Sequence, residues 1–390
     1  MSDSWDDCLN SKIAEWRESG LAREVHTAAG TGVRFEFRGR RILSFASNDY
    51  LGLAAHPAVV AAAKQALDEH GAGCSASPLI CGHKPVHAAL ERELAAFKRS
   101  ESALVFPSGY QAAVGTLAAL ATSANSVILD RLAHASLIDG AHLSKARVCT
   151  FKHNNVNDLK RLLQREHPRR CVVALESLYS MDGDIAPIDE IAGVCRQAGA
   201  LLLVDEAHAT GVLGETGRGA LEALTTRLGG LPNEIVALGT LSKALGSQGG
   251  FICASKAVVE NIIHTGRAYL FSTALSPACA GAAQAALKLV DLEPQRRTNL
   301  TTMANQIRAA LAASKCPALD STGPIIPIPA GEEQTAIRWK ESLFEQRLYV
   351  PAIRYPTVKK GQARLRISVS AGHTDSDCDT LIAALKQLQK

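Results

Sequence analysis

The chain has 390 residues, 47% of them hydrophobic and 21% charged, and its formal net charge is +4. This length and apolar content favour a folded protein with two lobes. Because both signs of charge are mixed along the chain and no basic run contains interleaved aromatic residues, nucleic-acid binding is not supported.

Residues 1–10 are polar and acidic and lack the apolar segment of a signal peptide. No uninterrupted apolar stretch reaches the length of about 18 residues that a membrane helix needs. We therefore expect a cytoplasmic protein. The ten cysteines include no C-x-x-C pair, so neither a zinc ribbon nor a redox motif is predicted, and we interpret them as small apolar residues.

The chain begins with a pattern typical of an arm. A helical pattern at Ile13 and Trp16 precedes residues 33–42, where apolar side chains alternate around a glycine turn, as in a β-ribbon. Residues 47–53 combine polar and turn-forming side chains, and Pro57 begins an alanine-rich helix. We expect the turn at 47–53 to lie near a site.

A loop of small residues, 71–82, follows this helix and has neither helical nor strand periodicity. His83 and His87 come next with the i, i+4 spacing of a metal pair. Pro85 lies between them, however, and the glutamate of an HExxH motif is missing. We therefore predict no metal site.

A glycine precedes the next helix. Residues 100–106 predict a strand, and Pro107-Ser108-Gly109-Tyr110 leads into an apolar helix over residues 112–121. Backbone N–H groups at a helix start can face an anion, and the helix dipole favours negative charge there. This segment is a candidate phosphate site, although it is neither a Walker loop nor a G-x-G-x-x-G fingerprint.

From residue 126 onward, short apolar runs alternate with amphipathic helices. The runs cover residues 126–129, 147–151, 171–175 and 201–204, and the helices begin at His134 or cover 156–166 and 187–198. This alternation predicts an α/β fold with a mostly parallel sheet and helices on both faces. Ligands bind at the carboxyl ends of such strands. The polar residues at these ends are Asp130 with His134, Glu176 with Ser180, Asp205 with His208, and Thr240 with Lys243.

After Ser255 the alternation stops, and the remaining pattern predicts a smaller α+β lobe. Its helices are predicted at 256–264, 276–293, 296–314, 333–347 and 374–389, and its strands at 325–329, 349–353 and 364–370. Thr374 and Asp377 have the spacing of a capping box. We predict an N-terminal arm (residues 1–46), a large domain (47–290) and a small C-terminal domain (291–390).

Lys243 lies among small residues and glycines directly after an apolar run. Burial lowers the pKa of an amine and makes it a nucleophile for Schiff-base formation. The alternative is a lysine at a helix start that contacts a carbonyl. Asp205 also ends an apolar run, and a buried carboxylate needs a positive partner such as a protonated pyridine nitrogen. Its alternative role is to cap the following helix.

Pyridoxal phosphate (PLP) requires this set of groups. It needs an amine for its aldehyde, a carboxylate for its ring nitrogen, a flat side chain over its ring and donors for its phosphate. Lys243, Asp205, His134 and the helix start after Ser108 supply these four groups together.

Several ordered motifs resemble one family, the α-oxoamine synthases among the fold type I, aspartate-aminotransferase-like PLP-dependent transferases. The resemblance runs from about residue 44 to the C-terminus. The motifs are Ser47-Asn-Asp-Tyr-Leu-Gly-Leu, Ser108-Gly-Tyr, His134-Ala-Ser-Leu-Ile-Asp-Gly-Ala, Glu176-Ser-Leu-Tyr-Ser-Met-Asp-Gly-Asp184, Val204-Asp-Glu-Ala-His208 and Gly239-Thr-Leu-Ser-Lys243.

The resemblance implies a PLP-dependent acyltransferase that forms a homodimer with its active site at the subunit interface. It implies that Lys243 carries the cofactor, that His134 stacks on the ring and that Asp205 pairs with the ring nitrogen. These three are the implied catalytic residues. The other implied cofactor contacts are His208 near the phenolic oxygen, Gly109, Tyr110, Ser180 and Thr240 around the ring and phosphate, and Ser272 from the second subunit.

The C-terminal segments 352–358 and 363–367 resemble the branch of the family that condenses L-alanine with a pimeloyl thioester in biotin biosynthesis, with loss of carbon dioxide. Coenzyme A or an acyl carrier protein carries the acyl group. The substrate-binding residues implied are Arg23, Asn48, Glu176, Thr357 and Arg366, the last for the amino-acid carboxylate. The loop 77–82 lacks the basic or histidine side chain of many relatives, so Arg23 or another arm residue is left to meet the acyl carboxylate.

Two alternatives remain at this point. Another α-oxoamine synthase, such as glycine C-acetyltransferase, 5-aminolevulinate synthase or serine palmitoyltransferase, shares every cofactor residue. A catalytically silent relative would keep the fold as an interaction subunit, which the presence of Lys243 disfavours.

Overall fold

The computed structural model describes residues 4–314 and 318–388. Its strands are β1 Ala28–Ala29, β2 Arg34–Phe37, β3 Arg40–Ser44, β4 Ser102–Phe106, β5 Ser126–Asp130, β6 Arg147–Phe151, β7 Cys171–Glu176, β8 Leu201–Asp205, β9 Ile235–Thr240, β10 Gly250–Ala254, β11 Ile325–Gly331, β12 Leu348–Tyr349, β13 Ala352–Ile353 and β14 Ala363–Ser368.

The helices are α1 Trp5–Glu18, α2 Pro57–His70, α3 Pro85–Lys98, α4 Gly109–Leu120, α5 Ala135–Leu143, α6 Val156–Glu166, α7 Ile188–Gln197, α8 Glu222–Leu228, α9 Lys256–Thr265, α10 Arg267–Leu270, α11 Pro277–Leu292, α12 Gln295–Ala313, α13 Glu333–Glu345 and α14 Asp375–Gln387. A π-helical turn, Pro78–Gly82, lies within the loop predicted at 71–82. Within the described ranges, no helix is long and apolar enough to cross a membrane.

The chain divides into two compact units. The central unit is Asn48–Leu300, and the terminal unit combines Met1–Ser47 with Thr301–Lys390. The N-terminal residues thus group with the C-terminal ones. The boundary predicted after residue 46 lies beside this division, and the one predicted after residue 290 lies inside α11.

The central unit contains a seven-stranded sheet in the order β4-β10-β9-β8-β7-β5-β6. Strands β5 to β9 pair in parallel, and β10 runs antiparallel to β4 and β9. Every residue of β7 and β9 is buried, as expected for parallel strands that helices cover on both faces. The predicted α/β fold with a mostly parallel sheet is therefore confirmed.

Helix α4 begins earlier than its apolar residues predict. Ser108 caps it, since its Oγ accepts a hydrogen bond from the Gln111 backbone N–H at 3.1 Å. The first turn therefore includes Gly109, before the apolar run at 112. Strand β10 starts against this turn, where a Cβ on Gly250 would lie 2.5 Å from the Ser108 carbonyl oxygen. This close approach requires glycine.

The terminal unit contains two small sheets, β1-β2-β3-β12 and β11-β14-β13. The predicted ribbon at 33–42 is confirmed, because β2 and β3 form an antiparallel pair. The single strand predicted at 349–353 is wrong. Its first part, β12, pairs with β3 and its second part, β13, pairs with β14. Pro351 lies between them and has no N–H to continue a ladder.

The predicted capping box of the last helix is also confirmed. The Asp377 N–H donates to Thr374 Oγ at 3.3 Å, and the Thr374 N–H donates to the Asp377 carboxylate at 2.9 Å. The predicted end of this helix, Gln389, lies outside the described residues.

His153 connects two carboxylates beside the carboxyl edge of the central sheet. Its Nδ1 lies 2.9 Å from Asp130 Oδ1, and its Nε2 lies 2.8 Å from Asp184 Oδ2. Burial lowers the pKa of His153, but the two hydrogen bonds outweigh this effect and raise the pKa to about 10. The ring is therefore an imidazolium at neutral pH. Asp130 was predicted among the ligand-binding residues. In the structure its carboxylate forms an ion pair with His153.

We predict that His153→Gln lowers the free energy of unfolding by about 1.5 to 3 kcal/mol near pH 6, because charge-assisted hydrogen bonds are lost. The folded-state pKa lies above the ordinary value of 6.5. The stabilisation is therefore complete below pH 6.5 and is lost as the pH rises towards 10. Urea unfolding near pH 6 and near pH 9 should show a difference that shrinks at the higher pH.

The exposed His264 on α9 provides the matched control, and His264→Gln should follow the wild type at both pH values. A difference between wild type and His153→Gln that stays constant with pH would mean that His153 is not charged in the folded state.

Candidate active site

A cleft of about 250 Å³ lies at the carboxyl edge of the central sheet, within the central unit. Strands β7, β8 and β9 end at this cleft, and α4 and α5 begin there. The residues predicted from sequence that line it are Gly109, Tyr110, His134, Glu176, Asp205, His208, Thr240 and Lys243. The other lining residues are Ser108, Ser136, Ala207, Leu238 and Ser242. We call it the Lys243 cleft.

Lys243 lies in the irregular turn between β9 and β10 and is half-buried. The alternative of a lysine at a helix start does not hold, because residues 241–249 form no helix. Gly246 gives this turn its shape. Its φ is +59°, and a Cβ there would lie 2.4 Å from the Ala54 backbone nitrogen. Only glycine fits that conformation without strain.

A chain of hydrogen bonds leads from Lys243 away from the cleft. Lys243 Nζ lies 2.7 Å from His208 Nε2, and His208 Nδ1 lies 2.6 Å from the Tyr50 hydroxyl. The hydroxyl donates to Asn48 Oδ1 at 3.0 Å. Because that amide oxygen can only accept, Tyr50 must accept from the Nδ1–H of His208. His208 Nε2 is then an acceptor, and Lys243 donates to it.

Two carboxyl groups lie side by side at the base of the cleft. Glu176 and Asp205 are register partners on the parallel strands β7 and β8, and both are buried. Burial raises the pKa of both groups. For Glu176, the neighbouring Asp205 adds to this effect and brings the pKa to about 8. For Asp205, Lys243 opposes it. Glu176 is therefore neutral at pH 7, and a nearby cation favours ionised Asp205.

Asp205 does not cap a helix. Its Oδ1 accepts a hydrogen bond from the Ala207 N–H at 2.9 Å and closes the turn after β8. The next helix, α8, begins at Glu222. The helix-cap interpretation is therefore wrong.

The other side of the cleft has the donors that an anion needs. Helix α4 begins there, and a Cβ on Gly109 would lie 3.2 Å from the Thr240 side chain, so the two segments are in close approach. Thr240 Oγ lies 2.7 Å from Ser242 Oγ and donates to the Gly249 carbonyl at 2.8 Å. Tyr110 is half-exposed, and its hydroxyl donates to Asp139 at 2.5 Å.

His134 is the N-cap residue of α5, and its ring is exposed in the cleft. Its Nδ1 lies 2.8 Å from Ser136 Oγ. Desolvation by the surrounding protein lowers the pKa of His134, while Asp205 opposes this shift. The ring is therefore a neutral, flat surface with one nitrogen already fixed by Ser136.

Three predicted residues of the central unit lie outside the cleft lining. The Ser180 N–H donates to Glu176 Oε2 at 3.0 Å, so Ser180 contacts a lining residue. Asn48 is connected to the cleft through Tyr50. Ser272 Oγ accepts from Gln111 Nε2 at 3.3 Å.

The remaining predicted residues belong to the terminal unit. Arg23 and Thr357 line a separate cleft of this unit, together with the basic side chains of Arg38, Lys340 and Arg354. Arg366 lies in β14, where it is buried and donates to Ser368 Oγ at 2.7 Å.

Sequence reasoning missed three polar residues of the site: Tyr50, Ser136 and Ser242. Each lies within a quoted motif, but none was given a role. For Tyr50 a signal existed, since it is the aromatic residue in a turn that was expected near a site. The contacts of Ser136 with His134 and of Ser242 with Thr240 depend on turn geometry, which the sequence does not specify.

His83 and His87 have separate partners. His83 lies 2.9 Å from Glu91 Oε2, whereas His87 is buried and uses Nδ1 and Nε2 for the Lys84 N–H and the Leu275 carbonyl. Within residues 4–314 and 318–388, no group of three or more His, Cys, Asp or Glu side chains could hold a metal ion.

The model of the family described as aminotransferase class I and II matches residues 40–385. The chain belongs to this family. It is also 42% identical to a protein named 8-amino-7-oxononanoate synthase from Thioalkalivibrio sulfidiphilus, over 97% of this chain and 96% of that relative.

Solved structures are similar over nearly the whole chain. A serine palmitoyltransferase variant from S. paucimobilis with a bound PLP-myriocin aldimine has a TM-score of 0.91 and 30% identity, and the match covers 99% of this chain and 98% of that one. An 8-amino-7-oxononanoate synthase from Francisella tularensis has a TM-score of 0.76 and 28% identity, over 89% and 97% of the two chains. The predicted fold type I transferase architecture is thereby confirmed.

The Lys243 cleft fits PLP in its donor set. Lys243 offers an amine, buried Asp205 a carboxylate and His134 a flat ring, and the start of α4 offers backbone N–H donors beside the hydroxyl groups of Thr240 and Ser242. Glu176 Oε1 also has no hydrogen-bond partner within residues 4–314 and 318–388. A buried polar atom of this kind at a cleft wall is consistent with a site shaped for a polar ligand.

We predict that Glu176→Gln changes how stability depends on pH in the cofactor-free protein. The folded-state pKa of Glu176, about 8, lies above its ordinary value of 4.5. The stabilisation it contributes is therefore present below pH 4.5 and is lost as the pH rises towards 8. The wild type should lose stability over this range by at most about 5 kcal/mol relative to Glu176→Gln.

Urea unfolding between pH 5 and pH 8.5 measures this difference. Glu190→Gln on the exposed face of α7 is the control and should follow the wild type. Parallel curves for the wild type and Glu176→Gln would show that Glu176 is already ionised at acid pH.

Proposed function

We propose that this chain is a PLP-dependent acyltransferase that condenses L-alanine with a pimeloyl thioester, carried by coenzyme A or an acyl carrier protein. The products are 8-amino-7-oxononanoate, carbon dioxide and the free thiol, a step of biotin biosynthesis. The observation that carries the proposal is the placement of Lys243 and Asp205 in one cleft of a chain that is 42% identical to an 8-amino-7-oxononanoate synthase.

PLP, when bound, supplies an electron sink that stabilises negative charge on the amino-acid Cα. Lys243 would hold the cofactor aldehyde and, once released from it, remove the Cα proton with its amine. Asp205 would hold positive charge at the ring nitrogen. His134 would cover the ring face. Its Nε2–H could donate a hydrogen bond to the acyl carbonyl oxygen as negative charge develops there.

The substrate contacts are also part of the proposal. Arg366 is proposed for the amino-acid carboxylate, because it is a buried guanidinium and guanidinium groups bind carboxylates through charge-assisted hydrogen bonds. Asn48 and Glu176 are proposed as further substrate contacts. For the distal carboxylate of the pimeloyl chain we propose Arg23 and Thr357, because three further basic side chains line the same cleft.

Serine palmitoyltransferase is the second candidate, because its structure has the higher TM-score, 0.91 against 0.76. Two observations favour the first candidate. The identity to the synthase from Thioalkalivibrio is 42%, against 30% to this palmitoyltransferase. The cleft around Arg23 also has more basic than acidic side chains, four against Glu24 and Glu341. It therefore suits an acyl chain that ends in a carboxylate better than a palmitoyl chain, which is apolar to its end.

We further propose that the enzyme acts in the cytoplasm as a homodimer, with Ser272 completing the site of the partner subunit. Cytoplasmic location agrees with the free thiols of all nine cysteines in the described residues. A dimer agrees with the large apolar side chains exposed near Ser272 and on the π-helical turn, namely Phe271, Leu79 and Ile80.

The substrate pair can be tested in one matrix of thiol-release assays. Alanine, glycine and serine are each combined with acetyl, succinyl, pimeloyl and palmitoyl thioesters. We predict the highest kcat/KM for alanine with pimeloyl. We also predict that alanine exceeds glycine by roughly 10- to 200-fold, which is the range that one methyl group in a fitted pocket supplies.

Lys243→Ala provides the background rate for every pair. The highest kcat/KM for serine with palmitoyl would favour the second candidate. The highest value for glycine with acetyl or succinyl would leave the family assignment in place and refute this substrate pair.

A further inference from the structure

Behind the Lys243 cleft, a second lysine is almost completely buried in the central unit. Lys98 is the last residue of α3, and its side chain is 3% exposed. Its ammonium group donates to Glu206 at 2.6 Å, to Thr210 Oγ at 2.9 Å and to the Arg218 carbonyl. All three N–H bonds of the ammonium are therefore used. The cofactor chemistry described above uses none of these groups.

The partner of Lys98 is the residue next to Asp205. The Glu206 side chain is fully buried, and its other oxygen accepts the Leu221 N–H at 3.0 Å. Gly219 packs against this carboxylate, because a Cβ there would lie 2.4 Å from Glu206 Oε1. Burying this charge without a partner would cost several kcal/mol, so Lys98 is the counter-ion that makes the position of Glu206 tolerable.

Lys98 also forms hydrogen bonds to both ends of one turn. Residues 206–210 form this turn, in which the Glu206 carbonyl accepts the N–H groups of Ala209 and Thr210 at 3.0 and 2.8 Å. Lys98 binds the side chain at each end, Glu206 and Thr210. His208 lies in the middle of the turn and contacts Lys243 Nζ at 2.7 Å. A shift of either end of the turn would therefore change the position of His208 relative to Lys243.

The charge of Glu206 acts on Asp205 as well. Burial raises the pKa of Asp205, and the Glu206 charge raises it further, whereas Lys243 and His134 lower it. Glu176 is the other acid beside Asp205, and Cys253 on β10 faces the Lys98–Glu206 pair. Neutralising Glu206 thus removes a charge that opposes ionisation of Asp205.

We propose that Lys98 is a positioning residue for the cofactor site. Through Glu206 and Thr210 it fixes the turn that carries His208, and by neutralising Glu206 it keeps Asp205 negatively charged opposite the cofactor ring. This inference rests on the proposed PLP-dependent function, because an ionised Asp205 matters for a protonated ring nitrogen.

The test compares four holoenzymes: the wild type, Lys98→Met, Glu206→Gln and the double variant. The readout is the pH at which the visible spectrum of bound PLP changes on acidification, together with the Kd for PLP. Lys98→Met should move this acid transition upward by about one pH unit and weaken PLP binding on the order of tenfold, since the unpaired carboxylate of Glu206 then opposes the charge on Asp205. Glu206→Gln should move the transition downward.

The double variant separates charge from packing. It lacks the ion pair but has no unpaired charge, so its transition should return close to the wild-type pH. Asp205→Asn has no carboxylate at this position, so any transition that it keeps belongs to another group, such as the imine nitrogen, and serves as the baseline for the other curves. Arg227→Met removes the exposed partner of Asp189, so it should titrate like the wild type. If Lys98→Met does not fold, the other two variants still test a charge effect, because the transition should move downward in Glu206→Gln and stay close to the wild-type pH in the double variant.

The result that overturns the proposal is an unchanged acid transition in Lys98→Met and Glu206→Gln, or a double variant as shifted as Lys98→Met. Either outcome would leave Lys98 as a residue that contributes to stability alone. Failure of the proposed function would look different, because no protein of the set, the wild type included, would then have a visible PLP band.

Discussion

A buried negative charge in the middle of the central sheet is the constraint on which the site depends. Asp205 ends β8, the fourth of seven strands, and its register partner on β7 is another buried acid, Glu176. Two buried carboxyl groups on register partners of neighbouring strands are not both expected to remain charged without a cation. The raised pKa of Glu176 leaves that carboxyl group neutral at pH 7, and the positive charge of Lys243 favours the ionised form of Asp205. A ligand with a protonated ring nitrogen would serve as the further positive partner of Asp205.

The rest of the central unit brings the necessary groups to that charge. Parallel strands deliver their carboxyl ends to one edge, so Glu176, Asp205 and Thr240 reach the same cleft from three neighbouring strands. The start of α4 adds backbone donors, and the turn before β10 adds Lys243. Behind them, the Lys98–Glu206 pair keeps a further buried carboxylate from acting on Asp205 as an unpaired charge. Most residues of the site therefore affect the charge of one residue, Asp205.

The sequence predicted much of this arrangement, and the failures have physical causes. Apolar runs of strand length separated by amphipathic helices predicted the parallel sheet, and the polar residues after them led to Glu176, Asp205, Thr240 and Lys243. The grouping of Asp130 with the site failed, because a strand end does not reveal that His153, distant in sequence, forms an ion pair with it. Lys98 was missed for the same reason.

The account is tested most directly at Lys243. The purified holoenzyme is treated with sodium borohydride, which converts an imine between lysine and PLP into a stable secondary amine, and is then digested and analysed by mass spectrometry. The account predicts the pyridoxyl group on the peptide that contains Lys243, and its loss in Lys243→Ala. A pyridoxyl group on Lys98 or any other lysine, or on no lysine at all, would contradict it.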